Sequence, residues 1–368
     1  MIDEACFRRW PTAALTMMFA FGARMWSAII GRKPFMKNLK EYSTMKVGGT
    51  ARHLILIADK GEIAPAVSFA KAKNLPMLFL GGGSNILFND EGYEGVVIRI
   101  VHKGISHKKI NETILVTAEA GEDWDDFVKW TLNNNFFGLE NLSGIPGLVG
   151  GAPIQNIGAY GVEAKDLIDS VEVFDTKDSQ FKILSNKECE FGYRDSVFKK
   201  PRGKDFIVTA VTFKLNTEPK IKISYKDLAN HFKGNASPTP QEVRGVVLSI
   251  RSRKFPDLKK FGTAGSFFKN VICDSATADQ LKRQHPDLPV FDAGKAEKKL
   301  STAFILDKIC GLKGKREGDV GLFPNQPLVV VNYGKASSHD IKNFITKIKK
   351  IVKEKTNIDL EEEVVIMK

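Results

Sequence analysis

Residues 138–161 read GLENLSGIPGLVGGAPIQNIGAYG, and this stretch decides the fold. Seven glycines and two prolines within it exclude a regular helix or strand. Glycines leave backbone N–H groups free to converge on an anion with no Cβ in the way, which is what a phosphate needs. A second glycine turn lies upstream, Gly81-Gly82-Gly83-Ser84-Asn85. It follows Met77–Leu80 directly, a short apolar run that reads as a strand. One glycine turn is as readily structural as binding. Two such loops in one domain can embrace a dinucleotide, one on its pyrophosphate and one on its ribityl and ring. Neither G-x-G-x-x-G nor G-x-x-x-x-G-K-[ST] occurs at the first turn, so the dinucleotide is not held in either of those ways.

Working outward, residues 53–58 (HLILIA) form a strand before Met77–Leu80. Between the two, residues 62–73 predict a helix behind Asp59, with Glu62 at capping-box spacing. Pro65 argues that this helix starts later than its cap suggests. The three make a β-α-β unit. Further strands are predicted over 96–100, 114–118, 171–175 and 207–215. Trp124, Phe127, Val128, Thr131 and Leu132 have helical spacing behind an acidic first turn. Near Glu218-Pro219 the texture shifts to more Lys, Pro and polar turns. A last helix carries Ile341, Phe344, Ile345, Ile348 and Ile351 as one stripe, with Ser338 as its cap. Residues 363–367 end the chain as a short strand.

The length, 368 residues, suggests two or three domains. With 43% hydrophobic and 27% charged residues the chain is an ordinary globular one, which excludes disorder, collagen-like repeats and disulfide scaffolds. Lys and Arg outnumber Asp and Glu by 55 to 43, a net charge of +12. The cations are dispersed with no run or aromatic interleaving, so the reading is a solvated surface and no nucleic-acid partner. Cys6, Cys189, Cys273 and Cys310 never form C-x-x-C, and no His pair has ligand spacing, so no metal is expected and the chain reads as cytoplasmic. Residues 1–35 stand apart: an apolar stretch over 13–30 between Arg8-Arg9 and Arg32-Lys33. Arg24 inside it would cost roughly 3 kcal/mol in a bilayer, so no membrane span is expected. The extension reads as disordered or not native, upstream of a start at Met36, with a membrane-surface helix as the other reading.

Three segments carry candidate chemistry. Gly192-Tyr193-Arg194-Asp195-Ser196 sets an arginine among small polar residues, by itself compatible with a surface salt bridge. Ala264-Gly265-Ser266-Phe267-Phe268-Lys269-Asn270 places a serine beside two phenylalanines, costly unless it lines a pocket. Glu361-Glu362-Glu363 is by itself a solvated acidic cluster. On composition alone the chain is an α/β enzyme that binds a dinucleotide.

These segments, in this order and spacing, resemble UDP-N-acetylenolpyruvoylglucosamine reductases, the MurB family. The likeness covers GGGSN with Ile86-Leu87, GLENLSGIPGLVGGAPIQNIGAYGVE, GYRDSVFK, AGSFFKN and the LEEEV end, from about Leu39 onward. The Tyr225-containing ISYKDL segment resembles the branch that folds a tyrosine loop over its substrate. The resemblance implies an α+β protein: an FAD-binding fold of the vanillyl-alcohol-oxidase (PCMH) type in two subdomains, plus a C-terminal α/β substrate-binding domain. Its divisions would be an extension at 1–35, an FAD-binding domain at 36–218, a substrate-binding domain at 219–362, and a terminal strand at 363–368 returning to the FAD domain. The implied activity is that of a UDP-N-acetylmuramate dehydrogenase, the NADPH-dependent, FAD-mediated reduction of UDP-N-acetylglucosamine enolpyruvate to UDP-N-acetylmuramate in peptidoglycan synthesis. The alternative is an FAD-linked oxidase or dehydrogenase of the same fold acting on a hydroxy acid.

The family's catalytic residues fall on Arg194, Ser266 and Glu363, with Ser266 as proton donor. FAD would be held by Gly81, Gly82, Gly83, Ser84, Asn85, Ser143, Gly144, Ile145, Pro146, Gly147, Gly151, Asn156, Ile157, Gly158 and Gly161. Tyr225, Lys254, Asn270, Lys313 and Gln326 fall on substrate positions, where cations suit the diphosphate and carboxylate of a UDP-sugar. Neither flavin loop holds a His or Cys, so the FAD is expected to be non-covalent. The protein is expected to act as a monomer.

Overall fold

The computed structural model describes residues 37–111, 113–234, 237–294 and 296–367, and the expectations for residues 1–35 lie outside the described residues. The first sheet is built from β1 (Lys37–Asn38), β2 (Thr50–Ile57), β3 (Met77–Leu80) and β5 (Tyr93–Ile100), in the order β1-β2-β5-β3. β5 pairs in parallel with both β2 and β3, so its Val96–Ile98 run is buried on both faces. Helix α1 (Ile63–Ala72) makes the crossover from β2 to β3. The Asp59/Glu62 capping box closes a 3-10 turn at Lys60–Glu62, and α1 begins only after it. Pro65 thus sits in the first turn of α1, where a missing N–H loses no helical hydrogen bond. Strand β4 (Ile86–Leu87) follows the first glycine turn.

The second sheet is antiparallel, in the order β11-β10-β12-β7-β6: β6 (Ile105–Ile110), β7 (Thr113–Glu119), β10 (Ile168–Asp175), β11 (Gln180–Ser185) and β12 (Phe206–Asn216). Alternate residues of β7 are buried, because one face meets the core. Residues 105–110 were not expected as a strand. Their ISHKKI pattern is almost wholly exposed, as suits an edge blunted by lysines. Between β7 and β10 run helix α2 (Trp124–Asn133), capped by Asp123, and the long glycine loop with its small hairpin β8 (Gly158–Ala159) and β9 (Val162–Glu163). Both sheets share one core, in which Ile57, Ile63, Val67 and Ile98 meet Val116, Trp124, Phe127, Val171 and Phe213.

After β12, helices α3 (Lys226–His231) and α4 (Pro240–Lys254) pack Leu228, Val243, Val247 and Ile250 around Tyr160 of the glycine loop. The remaining chain forms two three-stranded antiparallel sheets. One is β13-β15-β14, from β13 (Val271–Asp274), β14 (Val290–Gly294) and β15 (Glu297–Leu300) around helix α5 (Ser275–Gln284). The other is β16-β17-β18, from β16 (Arg316–Glu317), β17 (Val320–Phe323) and β18 (Gln326–Asn332). Helix α6 (Ser338–Thr356) buries Ile341, Phe344, Ile345, Ile348 and Val352, each contributing roughly 2 kcal/mol of transfer free energy.

Two local expectations, the cap of α6 and the length of the terminal strand, need correction. The stripe of α6 runs on to Val352, buried beside Ile351, which is partly buried against the same core. The cap is Ser337, in a capping box with Asp340, while the Ser338 hydroxyl turns to Asp90 at 2.8 Å. The terminal strand is also shorter than expected: β19 (Val365–Ile366) pairs in parallel with β4, immediately past the first glycine turn.

Candidate active site

The two glycine loops meet backbone to backbone. A Cβ added to Gly82 would lie 2.7 Å from Gly147 Cα, and one on Gly147 would lie 2.9 Å from Ser84 Oγ. Gly81 and Gly151 differ: neither has any protein atom where a Cβ would stand, and both face a cleft of about 350 Å3. Among the described residues no atom requires a glycine at these two positions, so they keep space for a ligand. Gly82, Gly83, Ser84, Asn85, Ile145, Pro146, Gly147, Ile157 and Gly158 line the same cleft.

Four expected cofactor residues shape the loop from behind instead. Asn156, fully buried with φ +46°, donates to Glu163 Oε2 and Gly192 O (both 2.9 Å) and accepts from Lys165 N (2.9 Å). Ser143 is spent on Glu140 O at 2.6 Å. Gly144 donates its N–H to Asp125 Oδ1 (2.6 Å) and accepts from Arg251 Nε (2.9 Å). Gly161 carries φ +82° under Tyr225. Burial would raise the Asp125 pKa, but the Arg244 guanidinium (2.6 and 2.8 Å) and the Gly144 N–H hold it below the ordinary carboxylate range.

The far end of the cleft is built from charged side chains. Arg194 occupies a tight turn in which Gly192 N donates to Asp195 O (2.9 Å). Its φ of +53° is left-handed, which costs a non-glycine residue roughly 1–2 kcal/mol. From there Nη2 donates to Gly158 O (3.0 Å), and Nε lies 2.8 Å from Glu363 Oε1, close in charge though not aligned as a hydrogen bond. Glu363 is only 11% exposed, and burial pushes its pKa up against the pull of Arg194. Its backbone is fixed from two sides: Glu363 N donates to Phe267 O (2.8 Å), and Asn85 Nδ2 donates to Glu363 O (3.1 Å). Ser266 lines the cleft beside Gly265, held by a bridge to Val329 and by the buried rings of Phe267 and Phe268. Its hydroxyl makes no hydrogen bond among the described residues. The structure thus brings Arg194, Ser266 and Glu363 to one cleft with the glycine loops.

Comparison with known proteins bears directly on this arrangement. A family described as FAD binding domain matches residues 51–184, and one described as UDP-N-acetylenolpyruvoylglucosamine reductase, C-terminal domain, matches residues 257–367. The UDP-N-acetylenolpyruvoylglucosamine reductase of Chromobacterium violaceum is 39% identical over 90% of this chain and 97% of its own length. That of Flavobacterium johnsoniae is 40% identical over 89% and 97%. The crystal structure of the reductase from Thermus caldophilus superposes with a TM-score of 0.63 at 27% identity, covering 91% of this chain and all of that one. The chain belongs to the UDP-N-acetylenolpyruvoylglucosamine reductase family.

The cofactor of this family's cleft is FAD, and the residues fit it. Paired glycine loops supply backbone N–H groups, Gly81 and Gly151 leave open space, and Arg251 adds a guanidinium to the lining. Sequence reading missed Arg251, as it missed Lys199, Gln155 and Phe255, which also line the cleft. The Arg251 interval from Tyr160 is set by tertiary packing of α4 on the loop and leaves no spacing signal.

None of the five expected substrate residues lines the cleft itself. Tyr225 stands at its margin, 45% exposed, its ring edge-on to Tyr160 at 5.4 Å. Lys254 pairs with Asp227 at 2.5 Å. Asn325 donates to Arg253 O (2.9 Å), which brings Gln326 close to Lys254. Gly314 packs toward Pro324, which brings Lys313 to the same flank. Lys313 is itself 3.6 Å from Asp307. Asn270 stands apart, accepting from Thr302 N (3.2 Å) while its own N–H meets Tyr193 OH (3.3 Å). No helix among the described residues is long and apolar enough to cross a membrane.

Proposed function

We propose that the protein reduces the enolpyruvyl double bond of UDP-N-acetylglucosamine enolpyruvate to give UDP-N-acetylmuramate for peptidoglycan, with NADPH as electron donor, acting as a cytoplasmic monomer. The observation that carries this reading is the Arg194–Glu363 pair beside the unpartnered Ser266 hydroxyl, all lining the cleft between two glycine loops.

FAD held between Gly81–Asn85 and the second glycine loop would supply the hydride for the methylene carbon of the enolpyruvyl group. Negative charge then builds on the neighbouring carbon and its carboxylate. Arg194, whose guanidinium is already placed by Gly158 and Glu363, meets that charge without reorganising. Ser266 donates its proton to the carbanionic carbon. A hydroxyl is a weak acid, and only so basic an acceptor can take its proton. Glu363, kept above the ordinary carboxylate range by burial, can hold a proton beside an anion without repelling it. Tyr225, Lys254, Asn270, Lys313 and Gln326 bind the nucleotide-sugar portion, the two lysines and Gln326 from one flank.

The test is the visible spectrum of the purified protein under anaerobic conditions. NADPH is expected to bleach the oxidised-flavin bands, and UDP-N-acetylglucosamine enolpyruvate to restore them. Bleaching without restoration would remove the substrate, and restoration by a 2-hydroxy acid's oxidised product would favour the oxidase alternative. A folded protein that takes up no flavin would remove the reading altogether.

A further inference from the structure

Lys199 is a cation inside the cleft for which the chemistry above has no use. The Ser196 hydroxyl donates to Ile154 O (2.6 Å) and caps the turn Val197–Lys199. That turn doubles the chain back, so that Lys199 Nζ meets the backbone carbonyl of Arg194 at 3.0 Å. The carbonyl belongs to the residue with φ +53°, in a turn position that ordinarily favours glycine. Such a conformation persists only where its surroundings impose it. The Gly192–Asp195 pairing closes the turn around Arg194, and Lys199 holds its carbonyl from outside the turn.

We propose that Lys199 is a positioning residue for the reduction: its ammonium clamps the left-handed backbone of Arg194, which aims the guanidinium at Gly158 and Glu363. The inference rests on the reading of the cleft given above. A charged donor makes the stronger hydrogen bond, so the clamp is tightest while Lys199 is protonated. Burial, and Lys269 beside it, lower the Lys199 pKa from the ordinary lysine value; Asp195, Glu363 and Glu361 act against this. Arg194 adds a further cation nearby. Loosening of the clamp therefore falls on the alkaline side, at lower pH than for a free lysine.

The experiment compares the full-length flavin-loaded protein with Lys199→Met, Lys199→Arg, Arg194→Ala and the Lys199→Met/Arg194→Ala double variant. The readouts are turnover and the rate at which UDP-N-acetylglucosamine enolpyruvate reoxidises the NADPH-reduced protein. Lys199→Met is expected to lose about 100-fold in kcat, as for an ångström of misplacement, with little change in KM for NADPH. Lys199→Arg should recover at least about tenfold of that loss and carry the alkaline limb of the pH profile upward, because arginine does not deprotonate there. In the Arg194→Ala background, Lys199→Met should cost less than about twofold, because the two act as one unit. Near-parental kcat for Lys199→Met, an unmoved alkaline limb in Lys199→Arg, or full additivity with Arg194→Ala would each overturn the proposal. Should Lys199→Met fail to load flavin, the Lys199→Arg profile decides alone. A parent protein inactive on this substrate would overturn the functional reading instead.

Discussion

The two ends of the cleft are made of different materials. At the glycine end, backbone and open space make the lining: Gly82 and Gly147 touch, and Gly81 and Gly151 look into open volume. At the Arg194 end, three residues from remote segments converge: the Arg194 guanidinium donates to Gly158 O, the Glu363 backbone is held by Phe267 O and the Asn85 side chain, and Ser266 is bridged to Val329. A backbone cradle needs a local concentration of small residues. A charged constellation needs only that the fold bring distant residues together. The first tolerates no added atoms, and the second tolerates no altered functional groups.

Substitutions can break this contrast, the largest effect first. Ser266→Ala should leave NADPH-driven bleaching intact and slow reoxidation by the enolpyruvyl substrate about 1000-fold in stopped-flow traces. Equal loss of both half-reactions would place Ser266 in the binding end instead. Arg194→Lys should cost about 100-fold in kcat, since an ammonium cannot meet Gly158, Glu363 and substrate with one planar fork. Turnover within a few-fold of parent would detach the guanidinium from the chemistry. Gly151→Ala should weaken FAD binding about tenfold by fluorescence titration while the apoprotein melts as before. Gly82→Ala should lower both, because its Cβ meets Gly147 backbone rather than open space.

The smallest effect concerns the support behind the glycine loop. Asp125 has its folded pKa lowered, so it adds stability at pH above the ordinary carboxylate value near 4 and loses it as pH falls through the folded value. Asp125→Asn should therefore cost about 1 kcal/mol at pH 7, discounted for the one-third exposure of this carboxylate, and its melting temperature should converge on the parent's in acid. A constant gap from pH 7 to pH 3 would mean that packing, not charge, holds the loop.

The same contrast governs what was legible in the sequence. The β-α-β unit, helix α2 and the glycine loops carry local signals of period and composition, and each lies within a few residues of its expected place. Strand β6 was invisible because an exposed, lysine-rich edge has no apolar face to alternate. The C-terminal strands are two to seven residues long, β13–β16 largely exposed and β17 and β18 buried almost throughout, so no alternating period shows. Arg194, Ser266 and Glu363 lay in segments that stood out by themselves, but their catalytic roles came only through the family resemblance. As residues they looked like a salt bridge, a misplaced polar group and a solvated cluster. Lys199 closes the GYRDSVFK segment but drew no role from it, and Arg251 lies in none of the quoted segments; both reach the cleft through turns and packing.

The ion pair between Arg194 and Glu363 also has a place in time. Ribosomes add roughly 5–20 residues per second, so the glutamate emerges roughly 10–30 s after the arginine it meets. Throughout that interval both glycine loops already exist, and the newborn chain has the makings of a flavin cradle while the acid that will face Arg194 across the cleft has yet to be made.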